Sequence, residues 1–117
     1  MKRYIFGLFA AAIAICSAAF TTAPKSRHFA TKFFDYSGPN YTQSNVANPA
    51  NWTYVGNSPS GSCNGTNTKA CEIEVNTMLV NPDNTLQSTV NIPTSASSTN
   101  VYRVDAGGDL SSRTNRN

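Results

Sequence analysis

Apolar and polar positions alternate most cleanly over Ala70–Asn76. There Cys71, Ile73 and Val75 fall on one face of an extended chain, and Glu72, Glu74 and Asn76 on the other. This period of two predicts a strand with one buried and one wet face. A second run, His28–Tyr36 (HFATKFFDY), is aromatic and β-branched and closes at Ser37-Gly38-Pro39-Asn40, a cluster of turn formers. A third, Asn51–Val55, is bounded by Pro49 before it and Gly56-Asn57 after it. Asn81-Pro82-Asp83-Asn84 reads as a β-turn with proline where its fixed φ fits. Ser88–Ile92, ended by Pro93, is read as a fourth strand and Asn100–Val104 as a fifth. Beyond residue 20 no stretch keeps helical apolar spacing for more than two turns, and strong helix formers are scarce.

The N-terminus carries a different pattern. Met1-Lys2-Arg3 precedes an apolar run that ends in Ser17-Ala18-Ala19, the order of a secretory signal peptide. Cleavage is placed after Ala19, because the later candidate Thr21-Thr22-Ala23 is followed by Pro24. An uncleaved membrane anchor is the alternative, but the run from Tyr4 to Phe20 is 17 residues, short of the about 20 that a bilayer core asks for. Cys16 follows Ile15 rather than the small residue a lipoprotein signal needs. The chain is thus divided into a signal peptide (1–19), a flexible leader (20–27), a small β-rich domain (28–105) and a disordered tail (106–117). The tail is read from Gly107-Gly108 and a Ser, Arg and Asn composition.

Composition changes the picture in two ways. The whole chain has nine Lys+Arg against six Asp+Glu, a net charge of +3; without Lys2 and Arg3 it has seven against six, close to neutral. Apart from Lys25, Arg27, His28 and Lys32 the cations are scattered along the sequence, so no basic stripe points to nucleic acid. Leu, Ile, Val and Phe make up 16 of the 98 residues after Ala19, below the ~20% at which a core becomes doubtful.

The two cysteines beyond the signal, Cys63 and Cys71, are separated by seven residues that include the turn dipeptide Asn64-Gly65. In an exported chain such a pair reads as a disulfide. It lacks the Cys-x-x-Cys spacing of a redox site, and a zinc site would need more than the distant His28. Glu72 and Glu74 share a strand face but read as a solvated face, not a catalytic pair. Asp83 and Asn84 lack the spaced acids of a calcium loop. Asn40-Tyr41-Thr42, Asn51-Trp52-Thr53 and Asn64-Gly65-Thr66 match the eukaryotic glycosylation sequon, without consequence in a bacterium. Tyr36, Tyr41, Trp52 and Tyr54 lie close together among Asn, Thr and Ser. They form either a ligand face that stacks on sugars or peptides, or the core of a sheet short of aliphatics.

The order of a signal peptide, Phe33-Phe34-Asp35-Tyr36-Ser37-Gly38, Trp52-Thr53-Tyr54, and Cys63 and Cys71 leading into Glu72-Ile73-Glu74-Val75 resembles short exported proteins of unknown function from Bacteroidota. The resemblance covers the chain up to Asn76 and implies compartment and architecture, with no catalytic residue. The expected fold class is mainly β: a small disulfide-stabilised β-meander with a flexible N-terminal leader and a disordered C-terminal tail. The expected function is non-enzymatic, that of a cell-envelope or interaction protein with no cofactor, no nucleic-acid partner and no membrane span after cleavage. The alternative is a carbohydrate- or peptide-binding module. The expected location is periplasmic, outer-surface or extracellular, or the inner membrane if the signal is retained.

Overall fold

The computed structural model of the protein describes residues 29–117. The expected signal peptide (1–19), the expected leader (20–27) and His28 lie outside the described residues. The fold is mainly β, with two antiparallel sheets and a Cys63–Cys71 disulfide. Strands β1 (Thr31–Tyr36), β2 (Trp52–Gly56), β3 (Lys69–Asn76) and β6 (Leu110–Arg116) form a four-stranded sheet in the order β2-β1-β3-β6. Strands β4 (Thr94–Ser98) and β5 (Val101–Val104) form a separate hairpin. Asn100 turns that hairpin at φ 58°, a left-handed conformation that asparagine tolerates. One helical turn, α1 (Gln43–Val46), and a 3-10 turn at Pro49–Asn51 lie between β1 and β2.

The aromatic and β-branched runs become strands because they can be half buried. Phe34 and Tyr36 of β1, Trp52 of β2, and Ala70, Ile73 and Val75 of β3 turn inward. Val46, Leu86, Val90, Ile92 and Val104 close over them from α1, the irregular segment after Leu79 and the β4–β5 hairpin. Trp52 is positioned by the 3-10 turn, whose first residue is Pro49 and whose cap Asn48 accepts from the Ala50 N–H at 3.0 Å. The predicted turn at Asn81–Asn84 forms: the Asn84 N–H donates to the Asn81 carbonyl at 3.0 Å, and Asp83 accepts from the Thr85 N–H and hydroxyl.

Four expectations are corrected. The tail is not disordered. Gly107 and Gly108 take φ 109° and 59° and form the turn that brings the chain back, and Leu110–Arg116 pairs with β3 along its length. Ser88–Ile92 is not a strand. Val90 and Ile92 are buried, but the Val90 N–H bonds to the Gln87 carbonyl and the Asn91 N–H to the Asp109 carboxylate, so no ladder forms. Pro93 instead precedes β4.

The wet face of β3 is partly covered, since Glu72 is only 4% exposed. The register also shifts between Ala70 and Glu72, and Ala70 joins the core cluster in place of Cys71. Lastly, the main sheet departs from a simple meander at one connection. β2 and β3 flank β1 on opposite sides, so residues 57–68 cross over β1. The disulfide ties this crossing segment to β3 rather than closing a hairpin.

Candidate functional site

The four aromatic residues singled out in the sequence are brought close together, but chiefly as core. The Trp52 ring is 4% exposed and donates its Nε1–H to the Val46 carbonyl at 3.0 Å. Tyr36 lies edge-on to it at 5.1 Å between centroids and contacts Tyr41 at 5.3 Å. Tyr54 is set apart, edge-on to Phe34 at 5.8 Å and beneath the Lys32 ammonium at 5.3 Å. Tyr36 and Trp52 therefore offer no open ring face: of the two readings of these four residues, the core reading holds for Tyr36 and Trp52, while Tyr41 and Tyr54 are half-buried at the margin of that core. A sheet poor in aliphatics fills its interior with rings and satisfies their polar ends locally. Trp52 is the single tryptophan of the chain, so its emission should be blue-shifted and poorly quenched by iodide in the native protein. A red-shifted, readily quenched spectrum would contradict this packing.

The edge of Trp52 contributes to a cleft of about 350 Å³ formed with Asn48, Pro49, Ala50, Thr85, Leu86 and Ser88. The lining joins apolar surface from Trp52, Leu86, Pro49 and Ala50 to the polar side chains of Asn48, Thr85 and Ser88, of which the Asn48 oxygen is bonded to the Ala50 N–H and the Thr85 hydroxyl to Asp83 and Asn81. None of these side chains titrates. The cleft joins two segments more than thirty residues apart. The Asn81–Asn84 turn is the one sequence signal that bears on it, because it directs Thr85–Ser88 back towards β2; nothing local pairs it with Asn48–Ala50.

The outer face of the main sheet carries three carboxylates. Glu74 accepts from the hydroxyls of Thr31 at 2.5 Å and Ser112 at 2.7 Å. Glu72 accepts from the Ser60 N–H at 2.6 Å, and the Ser60 hydroxyl donates to Asp35 at 3.1 Å. Asp35 and Glu72 are direct cross-strand partners. The crossing segment thus lies over this pair and is what buries Glu72. Among the described residues no three His, Cys, Asp or Glu side chains are grouped to hold a metal ion, and no described helix is long and apolar enough to cross a membrane.

Burial holds the Asp35 carboxyl above the ordinary carboxylate range. The Glu72 carboxylate adds to the rise, while the Ser60 hydrogen bond and Arg116 oppose it. The folded chain therefore keeps the Asp35 proton to higher pH than the unfolded chain does. From its ordinary value of 3.8 up to the raised one the native state binds more protons, so this group lowers stability as pH rises through that window. Asp35→Asn should remove the fall. Relative to the parent, its urea midpoint should gain more at about pH 7 than at about pH 3; an equal difference at both would exclude the effect.

Comparison of the chain with protein-family models, with curated proteins and with solved structures finds no match in any of the three.

Proposed function

We infer that the protein is a small exported, non-enzymatic interaction protein of the cell envelope. It takes an uncharged glycan or peptide segment into the cleft between Asn48–Trp52 and Thr85–Ser88. The carrying observation is the lining: apolar surface flanked by an amide and two hydroxyls, with no acid, base or thiol. Such a surface suits ring or chain contacts fixed by a few polar groups, and it gives no group for proton transfer at neutral pH. The disulfide supports an oxidising compartment.

Because Trp52 lines the cleft, it serves as the reporter. Titration with neutral oligosaccharides and with uncharged peptides should shift its emission for the class that binds, and Ser88→Arg, which puts a long charged side chain at an exposed lining residue, should abolish the shift. A ligand whose calorimetric affinity is unchanged by Ser88→Arg would overturn this assignment.

A further inference from the structure

Cations that are scattered in the sequence are gathered by the fold. Of the five described basic side chains, four lie about Asn67–Lys69, where the crossing segment enters β3. Arg103 donates from Nη1 to the Asn67 carbonyl at 3.4 Å, and Arg113 donates from Nη1 to the Asn67 side-chain oxygen at 3.2 Å. Lys69 and Arg116 are direct cross-strand partners. Both lie over the Tyr41 ring, at 5.8 and 5.9 Å from its centroid, and Arg116 donates to the Tyr41 hydroxyl at 2.5 Å.

Like charges set opposite each other across a sheet, and two guanidiniums drawn to one neutral residue, repel. Two carboxylates act on them: Asp105, 3.5 Å from Arg103, forms the single ion pair among the described residues, and Asp35 attracts Arg116 without pairing with it. Neutral acceptors and a ring face hold Lys69, Arg113 and Arg116 in place with no carboxylate paired to any of the three. Beside them Asn64, Gly65, Thr66 and Asn67 are exposed and present amides and a hydroxyl.

We propose that Lys69, Arg103, Arg113 and Arg116, organised by Asn67 and Tyr41, form a docking surface for an anionic polysaccharide, separate from the neutral cleft. Guanidiniums match carboxylate and sulfate groups with paired hydrogen bonds, and the adjoining amides suit sugar hydroxyls. Nucleic acid is the poorer fit. Binding of single strands relies on open aromatic faces for the bases, whereas Tyr36 and Trp52 are buried and Tyr41 is covered by Lys69 and Arg116.

The test uses the oxidised, purified protein with polygalacturonate as the carboxylated probe, heparin as the sulfated one, dextran as the neutral one and a single-stranded oligonucleotide as competitor. The two anionic probes decide which acid group is read. Arg103→Gln with Arg113→Gln should weaken the preferred glycan about ten-fold. Asn67→Ala, which changes no charge, should weaken it about three-fold. Lys32→Gln, a cation held elsewhere by Asn84, should leave it unchanged. If Asn67→Ala fails to fold by circular dichroism, Arg113→Lys replaces it, since it keeps the charge and loses the fork. Three results would overturn the proposal: equal weakening by Lys32→Gln, no loss in the charge-neutral variant, or tighter binding of the oligonucleotide than of either glycan.

Discussion

Asn115→Ala should destabilise the protein by about 2–5 kcal/mol, because it strips both backbone partners from a buried residue. Asn115 is 1% exposed, on the edge strand β6. Its side-chain oxygen accepts from the Val104 N–H at 3.1 Å, and its amide donates to the Val104 carbonyl at 2.9 Å and to the Asn67 side chain at 2.7 Å. A single side chain therefore acts as one rung of a ladder between β6 of the main sheet and β5 of the hairpin, which do not pair by backbone. Val104 is fully buried, so without Asn115 its N–H and C=O lose partners where desolvation is greatest, at about 1–3 kcal/mol each.

For a domain of this size the loss corresponds to a fall in Tm of roughly 10–30 °C. Asn115→Asp should be at least as damaging, since it keeps an acceptor for the Val104 N–H but loses the donor to the carbonyl and buries a charge. Asn67→Ala leaves both bonds to Val104 and removes the part-buried acceptor of Asn115 and that of Arg113, and should cost only about 1 kcal/mol. Thermal and urea denaturation of the three variants measure the difference. An Asn115→Ala variant no less stable than Asn67→Ala would show that the rung is not what joins the two sheets.

That same strand marks where sequence reading reaches its limit. β1, β2 and β3 are legible because Phe34, Tyr36, Trp52, Ile73 and Val75 are large apolar residues at strand spacing, and burial of such side chains dominates where a chain settles. β6 (LSSRTNR) has one apolar residue and β4 (TSASS) none larger than alanine. Both are recruited by backbone pairing to a partner already in place, a cause that leaves no mark in hydropathy. Ser88–Ile92 errs in the opposite sense: the alternation of Val90 and Ile92 correctly reports burial, but burial does not require a ladder, and here the backbone donors bond elsewhere.

The candidate sites follow the same division. The aromatic cluster was visible as a cluster, whereas which side of it faces water depends on Val46 supplying a carbonyl to Trp52. The grouping of Arg103, Arg113 and Arg116 with Lys69 arises only when β5 and β6 are laid beside β3. Their positions in the sequence, with Lys69 just before the third strand, Arg103 in the fifth and Arg113 and Arg116 in an expected tail, conceal it.

Removal of the disulfide, as Cys63→Ala with Cys71→Ala, should lower stability by about 2.5 kcal/mol on the chain-entropy account for a nine-residue loop. The urea midpoint should fall by about 1–2 M. Alanine at position 71 is the appropriate replacement, because Cys71 is 4% exposed and a serine would bury a hydroxyl. The Cα atoms of the pair are 5.9 Å apart, an ordinary separation for a disulfide, so the bond constrains the unfolded chain without forcing the native one.

The effect should also be local. The cross-link anchors the segment whose Ser60 covers Glu72 and Asp35 and whose Asn67 holds Arg103, Arg113 and Asn115. Hydrogen exchange should accelerate first at the Ser60 amide and only later in β1 and β2, and reduction of the parent protein should reproduce both changes. In a chain with few aliphatics, a core of eleven buried residues leaves little reserve. The fold then depends on this tie at Cys63 and on the Asn115 rung, which meets the same crossing segment at Asn67. If the double variant unfolds at the same urea concentration as the parent, that dependence is refuted and the core alone must suffice.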